Sequence, residues 1–218
     1  MMNSILKSIT VLVIVSCGIS NQDTIRNNYL VKDSVILPTD SNTFYFPVRE
    51  LSKSLTRDTF LNKWYSQMLF GLHEPVLYTS LDATETYRFT WLRTFHKPIS
   101  IRLQNRFGDY ILTLKMANGA GGYQIGKLIQ DTSFYISKKE WNEFTSSINS
   151  IDFWKLPSAD ISEIGKDGSE WILEGQKNGK YHFVIRWTPN TPNTLKFRSC
   201  CEYLIKMSGL MVPNEEIY

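Results

Sequence analysis

An α+β fold, an antiparallel β-sheet with helices packed on one face, is what this sequence predicts, and three observations predict it. Segments of period-two alternation recur between residues 85 and 187, amphipathic helical stripes flank and interrupt them, and Asn178-Gly179 stands between two strand-like runs as a hairpin turn.

Taken in order, Phe44-Tyr45-Phe46-Pro47-Val48 is too apolar to stay in solvent and begins the folded part. Phe60, Leu61, Trp64, Tyr65, Met68 and Leu69 recur as pairs every four residues, which predicts a helix over 59–69 with Asp58 as N-cap and Gly71 as stop. Tyr87-Phe89-Trp91, Ile99-Ile101-Leu103 and Tyr110-Leu112-Leu114-Met116 alternate with polar residues and read as strands with one buried face. Gly119 to Gly122 is a turn, 123–129 reads as a strand, and Ser133-Phe134-Tyr135-Ile136 as a further short one. Ser137-Lys138-Lys139-Glu140 is a capping box that opens a helix over about 139–155, with Trp141, Phe144, Ile148 and Ile151 on one stripe before Pro157. In the hairpin, a two-residue turn at Asn178-Gly179 pairs Lys177 with Lys180, Gly175 with His182, Glu174 with Phe183, Leu173 with Val184 and Trp171 with Arg186. Thr194 caps a last helix through Met207, with Gly209 as terminator.

The chain's 218 residues, 42% of them apolar and six of them Trp, supply enough to bury a core and exclude the disordered class. A formal charge of +3, which becomes +2 without Lys7 of the leader, lacks the clustered excess of a nucleic-acid binder. Lys7, the apolar stretch Ile9 to Val15 and then Ser16-Cys17-Gly18 have the layout of a signal peptide. That stretch is shorter than the roughly 20 residues a membrane-spanning helix needs. Ile14-Val15-Ser16-Cys17 resembles the lipobox of bacterial lipoproteins. The resemblance implies cleavage after residue 16, diacylglycerol and a further acyl group such as palmitate on Cys17, and a cell-envelope location. Without an acidic residue after Cys17, it points to the outer membrane rather than the inner. The expected organisation is a signal peptide over 1–16, an acylated N-terminus and polar tether over 17–40, and one α+β domain over 41–218. Two acyl chains, at about 0.8 kcal/mol per buried methylene, anchor such a domain firmly. Residues 167–187 also resemble segments of bacterial lipoproteins of unknown function, which implies no role.

The chemistry in the sequence is sparse. Gly121 to Lys127 meets seven positions of the phosphate-binding loop, but Leu128 stands where Ser or Thr must ligate magnesium, so no nucleotide is expected. His73, His96 and His182 lack ligand spacing, so neither metal nor cofactor is expected. Cys200 and Cys201, adjacent on one helix, read as packing residues.

Glu174 falls on the more apolar hairpin face, expected to meet the helices. There it must find a cation or keep its proton, which makes Glu174, with His182, the catalytic candidate of a small hydrolase. The other face would collect Trp171, His182, Arg186, Arg88, Arg102 and Lys115 away from the helices, a surface suited to an anionic envelope component or a protein partner. The leading expectation is therefore a non-enzymatic envelope binding module, with the hydrolase as its alternative.

Overall fold

The computed structural model describes residues 30–31, 35–79, 84–159 and 167–218. The leader, Cys17 and most of the tether lie outside the described residues. Six antiparallel strands, β1 (Glu85–Arg93), β2 (Ile99–Arg106), β3 (Asp109–Ala117), β4 (Leu128–Tyr135), β5 (Ser169–Lys177) and β6 (Lys180–Trp187), form one sheet in the order β4-β3-β2-β1-β5-β6. Helices α1 (Leu55–Gly71), α2 (Lys138–Ser150) and α3 (Leu195–Ser208) complete the α+β fold.

The hairpin register is the one its turn dictates: Lys177 opposite Lys180, Glu174 opposite Phe183, Trp171 opposite Arg186. Asn178 and Gly179 both have positive φ, 52° and 71°, as a type I′ turn requires. The capping box of α2 is complete, since Ser137 accepts from the Glu140 amide and Glu140 accepts from the Ser137 amide. Gly209, at φ 73°, ends α3.

Alternation along the strands splits the core in two. One face carries Tyr87, Phe89, Trp91, Ile101, Leu114 and Trp171 against Trp141, Phe144 and Ile148 of α2 and Phe197, Cys200, Cys201 and Leu204 of α3. Both cysteines are buried there, and burial pushes the Cys200 thiol up to about 11, so it packs as an unreactive apolar group. The opposite face is not solvated. Leu92, Ile172, Phe183 and Ile185 pack beneath Tyr65, Met68 and Leu69 of α1 together with Tyr45, Phe46 and Leu51.

Helix α1 departs most from expectation. It begins four residues before the predicted start, and Phe60 of its supposed apolar stripe is 66% exposed. Its buried side instead includes Asp58, Asn62 and Ser66, spaced by four. Asp58 is not the N-cap; it accepts from the amides of Arg49, Leu51 and Ser52 and so ties the preceding loop to the helix. Asn62 donates to the Phe46 carbonyl, and Ser66 accepts from the Tyr45 amide. Residues 118–127 also differ: they form a loop, and the two expected short strands are one strand, β4. The glycines of that loop serve close approach, since a Cβ on Gly121 would come within 2.7 Å of the Arg93 main chain.

Candidate functional site

The residues expected to form one basic surface divide between two faces. Arg88 lies opposite Glu174 and Arg102 opposite Arg88, so Arg88, Arg102, Lys115 and Glu174 share the α1 face, whereas Trp171, His182 and Arg186 point toward α2 and α3. Parity accounts for the difference: in the β1–β5 register the even positions of both strands share a face.

On the α1 face the cations are neutralised internally. Arg88 forks onto Glu174, Nε to Oε2 and Nη2 to Oε1, both at 2.7 Å, and Tyr181 donates to Oε1 at 2.9 Å. Burial raises the Glu174 carboxyl above its ordinary pKa, opposed by Arg88 and Tyr181. With three donors on its two oxygens, the carboxylate is the form that this geometry binds. Against the burial that disfavours charge, Glu174 and Glu74 push the Arg88 pKa above its usual value. Glu74 sits among all three cations, 3.0 Å from Arg102, 3.5 Å from Arg88 and 4.0 Å from Lys115. Lys115 also donates to the His73 carbonyl at 2.6 Å and lies 3.7 Å from Asp131.

His182 and Arg186 have a different task. Residues 153–159, which begin with the single 3₁₀ turn Phe153–Lys155, run along β6 and reach an isolated parallel bridge between Ala159 and Ile185. His182 donates through Nε2 to the Leu156 carbonyl at 3.0 Å, and Arg186 donates to the Pro157 carbonyl at 3.0 Å while lying over the Phe197 ring. Burial lowers the His182 pKa, so the ring is neutral at pH 7. Arg186 is 8% exposed and lies under a helix, not on an open face. Replacing Arg186 with Ala should lower stability by about 1–3 kcal/mol, because it leaves the Pro157 carbonyl without this partner. Denaturant unfolding measures this; a change below about 0.5 kcal/mol would mean that Arg186 does not hold the segment.

Two sites went unread in the sequence. The first is a cleft of about 730 Å³ at the end of the sheet where β1 begins and β2 ends. It lies between segments 35–38 and 75–77 and is floored by Thr84, Thr86, Gln104 and Gln176. Arg106 is the one charged residue among its described lining. Gln104 connects the cleft to the interior, as its Oε1 accepts from Arg102 at 3.1 Å and from Arg106 at 3.0 Å. Neither Glu174 nor His182 lines this cleft. The second is at the opposite end, where Glu216 accepts from Arg93 at 2.9 Å and lies 3.8 Å from His96, whose Nδ1 is 2.8 Å from the Tyr218 hydroxyl. Its residues come from positions 93–96 and 216–218, a separation that no local motif spans. Among the described residues no group of three or more His, Cys, Asp or Glu could hold a metal, and no helix is long and apolar enough to cross a membrane.

No protein-family model matches the chain, and no curated protein matches it. Among solved structures it is similar to a Bacillus halodurans protein described as a candidate adenylate cyclase, at 14% identity over 70% of this chain and 87% of the other. The TM-score of 0.19 is too low to relate the two folds.

Proposed function

We propose that this chain is an exported, lipid-anchored cell-envelope protein that binds an anionic envelope component without transforming it, and that the cleft at Arg106 is where it binds. The observation that carries the binding reading is the cleft itself: a concave site with a mainly apolar wall, a floor of polar side chains and Arg106 among its described lining residues, in a volume within the usual range for ligand sites. The hydrolase alternative finds no support in its own residues, since Glu174 is engaged by Arg88 and Tyr181 and His182 by a main-chain carbonyl. The anchor rests on Ile14-Val15-Ser16-Cys17.

Arg106→Ala should weaken binding to isolated envelope material by tenfold or more, beyond what its effect on thermal unfolding accounts for, and wild-type binding should fall with added salt. Undiminished binding by the folded variant would remove the cleft from consideration. The anchor has a separate test. Cys17→Ser should move the protein from the membrane to the soluble fraction of the native host; a variant that stayed membrane-bound at unchanged mass would refute lipidation.

A further inference from the structure

Two tight hairpins of the sheet use the same kind of turn and differ in what occupies it. Strands β2 and β3 close at the pair Arg106–Asp109 around Phe107-Gly108, and β5 and β6 close at Lys177–Lys180 around Asn178-Gly179. Both loops have positive φ at both positions, 55° and 101° in the first, 52° and 71° in the second. Gly, Asn and Asp adopt this conformation readily, and a bulky aromatic is out of place in it. Packing does not account for Phe107 either, since it is 91% exposed. A side chain that strains its turn and buries nothing points to a contact outside the chain.

The surroundings indicate what that contact is. The registers of β1 with β2 and β5 put both tips at one end of the sheet, three strand spacings or about 14 Å apart. Ile36, on the rim of the cleft, and Leu30, bridged to Phe134 near the end of β4, lie at the same end and are 92% and 75% exposed. Exposed lysines stand around these apolar groups: Lys177 and Lys180 flank the second tip, and Lys138 and Lys139 open α2 just after Ile136 bonds to Tyr110. Glu85 pairs with Lys177 and Glu143 with Lys139, while Glu140 is held in the capping box. Lys138 and Lys180 have no acidic partner among the described residues, and Asp109, next to the Phe107 tip, opposes them only in part. A protein partner is met by a packed apolar patch, whereas Phe107 stands clear of its neighbours. Separate apolar side chains projecting among cations suit a surface where hydrocarbon lies behind a layer of negative charge. Twelve residues separate Cys17 from Leu30, so an acylated Cys17 lies within about 45 Å of Leu30 at this end.

We infer that this end of the sheet rests on an anionic bilayer leaflet, with Phe107 immersed below the headgroups and Lys138 and Lys180 at the lipid phosphates. The inference rests on the lipid-anchor reading for the side from which the membrane is approached, and the contact is separate from the Arg106 cleft.

The test is the accessibility of a nitroxide spin label on the full acylated protein in vesicles of equal parts phosphatidylcholine and phosphatidylglycerol. Cys200 and Cys201 are buried, so with Cys17 acylated Phe107→Cys takes the label alone; Met211→Cys, 91% exposed at the opposite end of the sheet, is the control. The label at 107 should lose contact with a water-soluble nickel chelate and keep contact with oxygen, which concentrates in hydrocarbon, while the label at 211 meets both. Phosphatidylcholine alone, or Lys138→Glu with Lys180→Glu, should return the label at 107 to water while the acyl chains hold the protein on the vesicles. Unlabelled Phe107→Asn should raise the thermal midpoint by about 2–4 °C, because the turn is relieved. Equal nickel access at 107 and 211 in the anionic vesicles would overturn the inference and leave the anchor standing. Exclusion of both reagents from position 107 would place the tip against protein and overturn it too, as would a lower midpoint for Phe107→Asn, the mark of a packing residue. If mass spectrometry finds Cys17 unacylated, the label goes on Phe107→Cys in a Cys17→Ser background: immersion there keeps the contact and removes the anchor, and a wet label removes both.

Discussion

Glu74→Gln should lower the stability of this protein by about 3–5 kcal/mol, the usual cost of removing one partner from a buried ion pair. Glu74 is fully buried, and its carboxylate stands within 4.0 Å of cationic atoms from Arg88, Arg102 and Lys115. Among the described residues, Glu174 and the half-exposed Asp131 join it in facing these cations. The amide keeps the shape and removes the charge, so the buried cations lose compensation that water cannot replace. Denaturant midpoints measure the effect. A second variant separates charge from packing: Glu74→Gln with Arg102→Gln should recover part of the loss, as neighbours in one network couple by roughly 0.5–3 kcal/mol. A single variant within 1 kcal/mol of wild type, or a pair whose effects simply add, would show that the network is hydrated.

The second large effect is a dependence on pH. Burial pushes the Glu170 carboxyl up to about 7 from an ordinary value of 4.5, opposed by the Tyr65 hydroxyl and Arg57. A carboxyl with a raised folded-state pKa binds its proton more tightly in the native state. Stability from this group is therefore full below about pH 4.5, falls as pH rises to about 7, and is constant beyond. The full decline between those two pH values corresponds to about 3 kcal/mol. His182, with its lowered pKa, acts in the opposite sense in part of the same window. Comparison with Glu170→Gln isolates the carboxyl: the variant should lack the decline between pH 4.5 and 7. Parallel profiles for the two proteins would show that Glu170 is ionised throughout.

Local chemistry made the hairpin, both helices of the apolar face and the fold class legible in the sequence. Asn178-Gly179 fixes its register without reference to anything distant, and Ser137 with Glu140 fixes a helix start within four residues. The need of Glu174 for a cation was equally readable from its neighbours Phe183 and Ile185. That the cation is Arg88 was not readable, because the β1–β5 register joins strands with three others and α2 between them, and no turn sets its parity. Glu74 carries no periodic signal, since it lies in the non-helical segment after α1. The polar stripe Asp58, Asn62 and Ser66 hid the inward side of α1, because a helix that buries hydrogen-bonded groups presents a weakened apolar pattern. The cleft at Arg106 shares this difficulty, as its parts come from β1, β2, β5 and two loops.

The segment along β6 has a bearing on solubility. An outermost strand offers a row of open amide and carbonyl groups to any other extended chain, which makes it a nucleus for aggregation. Here the amide of Ile185 is already bonded to the Ser158 carbonyl at 2.7 Å, and the side chains of His182 and Arg186 fasten residues 156–157 beside it. At the far border of the sheet, the Val31 amide bonds to the Ser133 carbonyl. Both margins of the sheet are thus partly occupied by the chain's own backbone. Loosening the β6 segment opens that margin to intermolecular strand pairing, so the two basic side chains first read as ligand contacts act as guards against self-association.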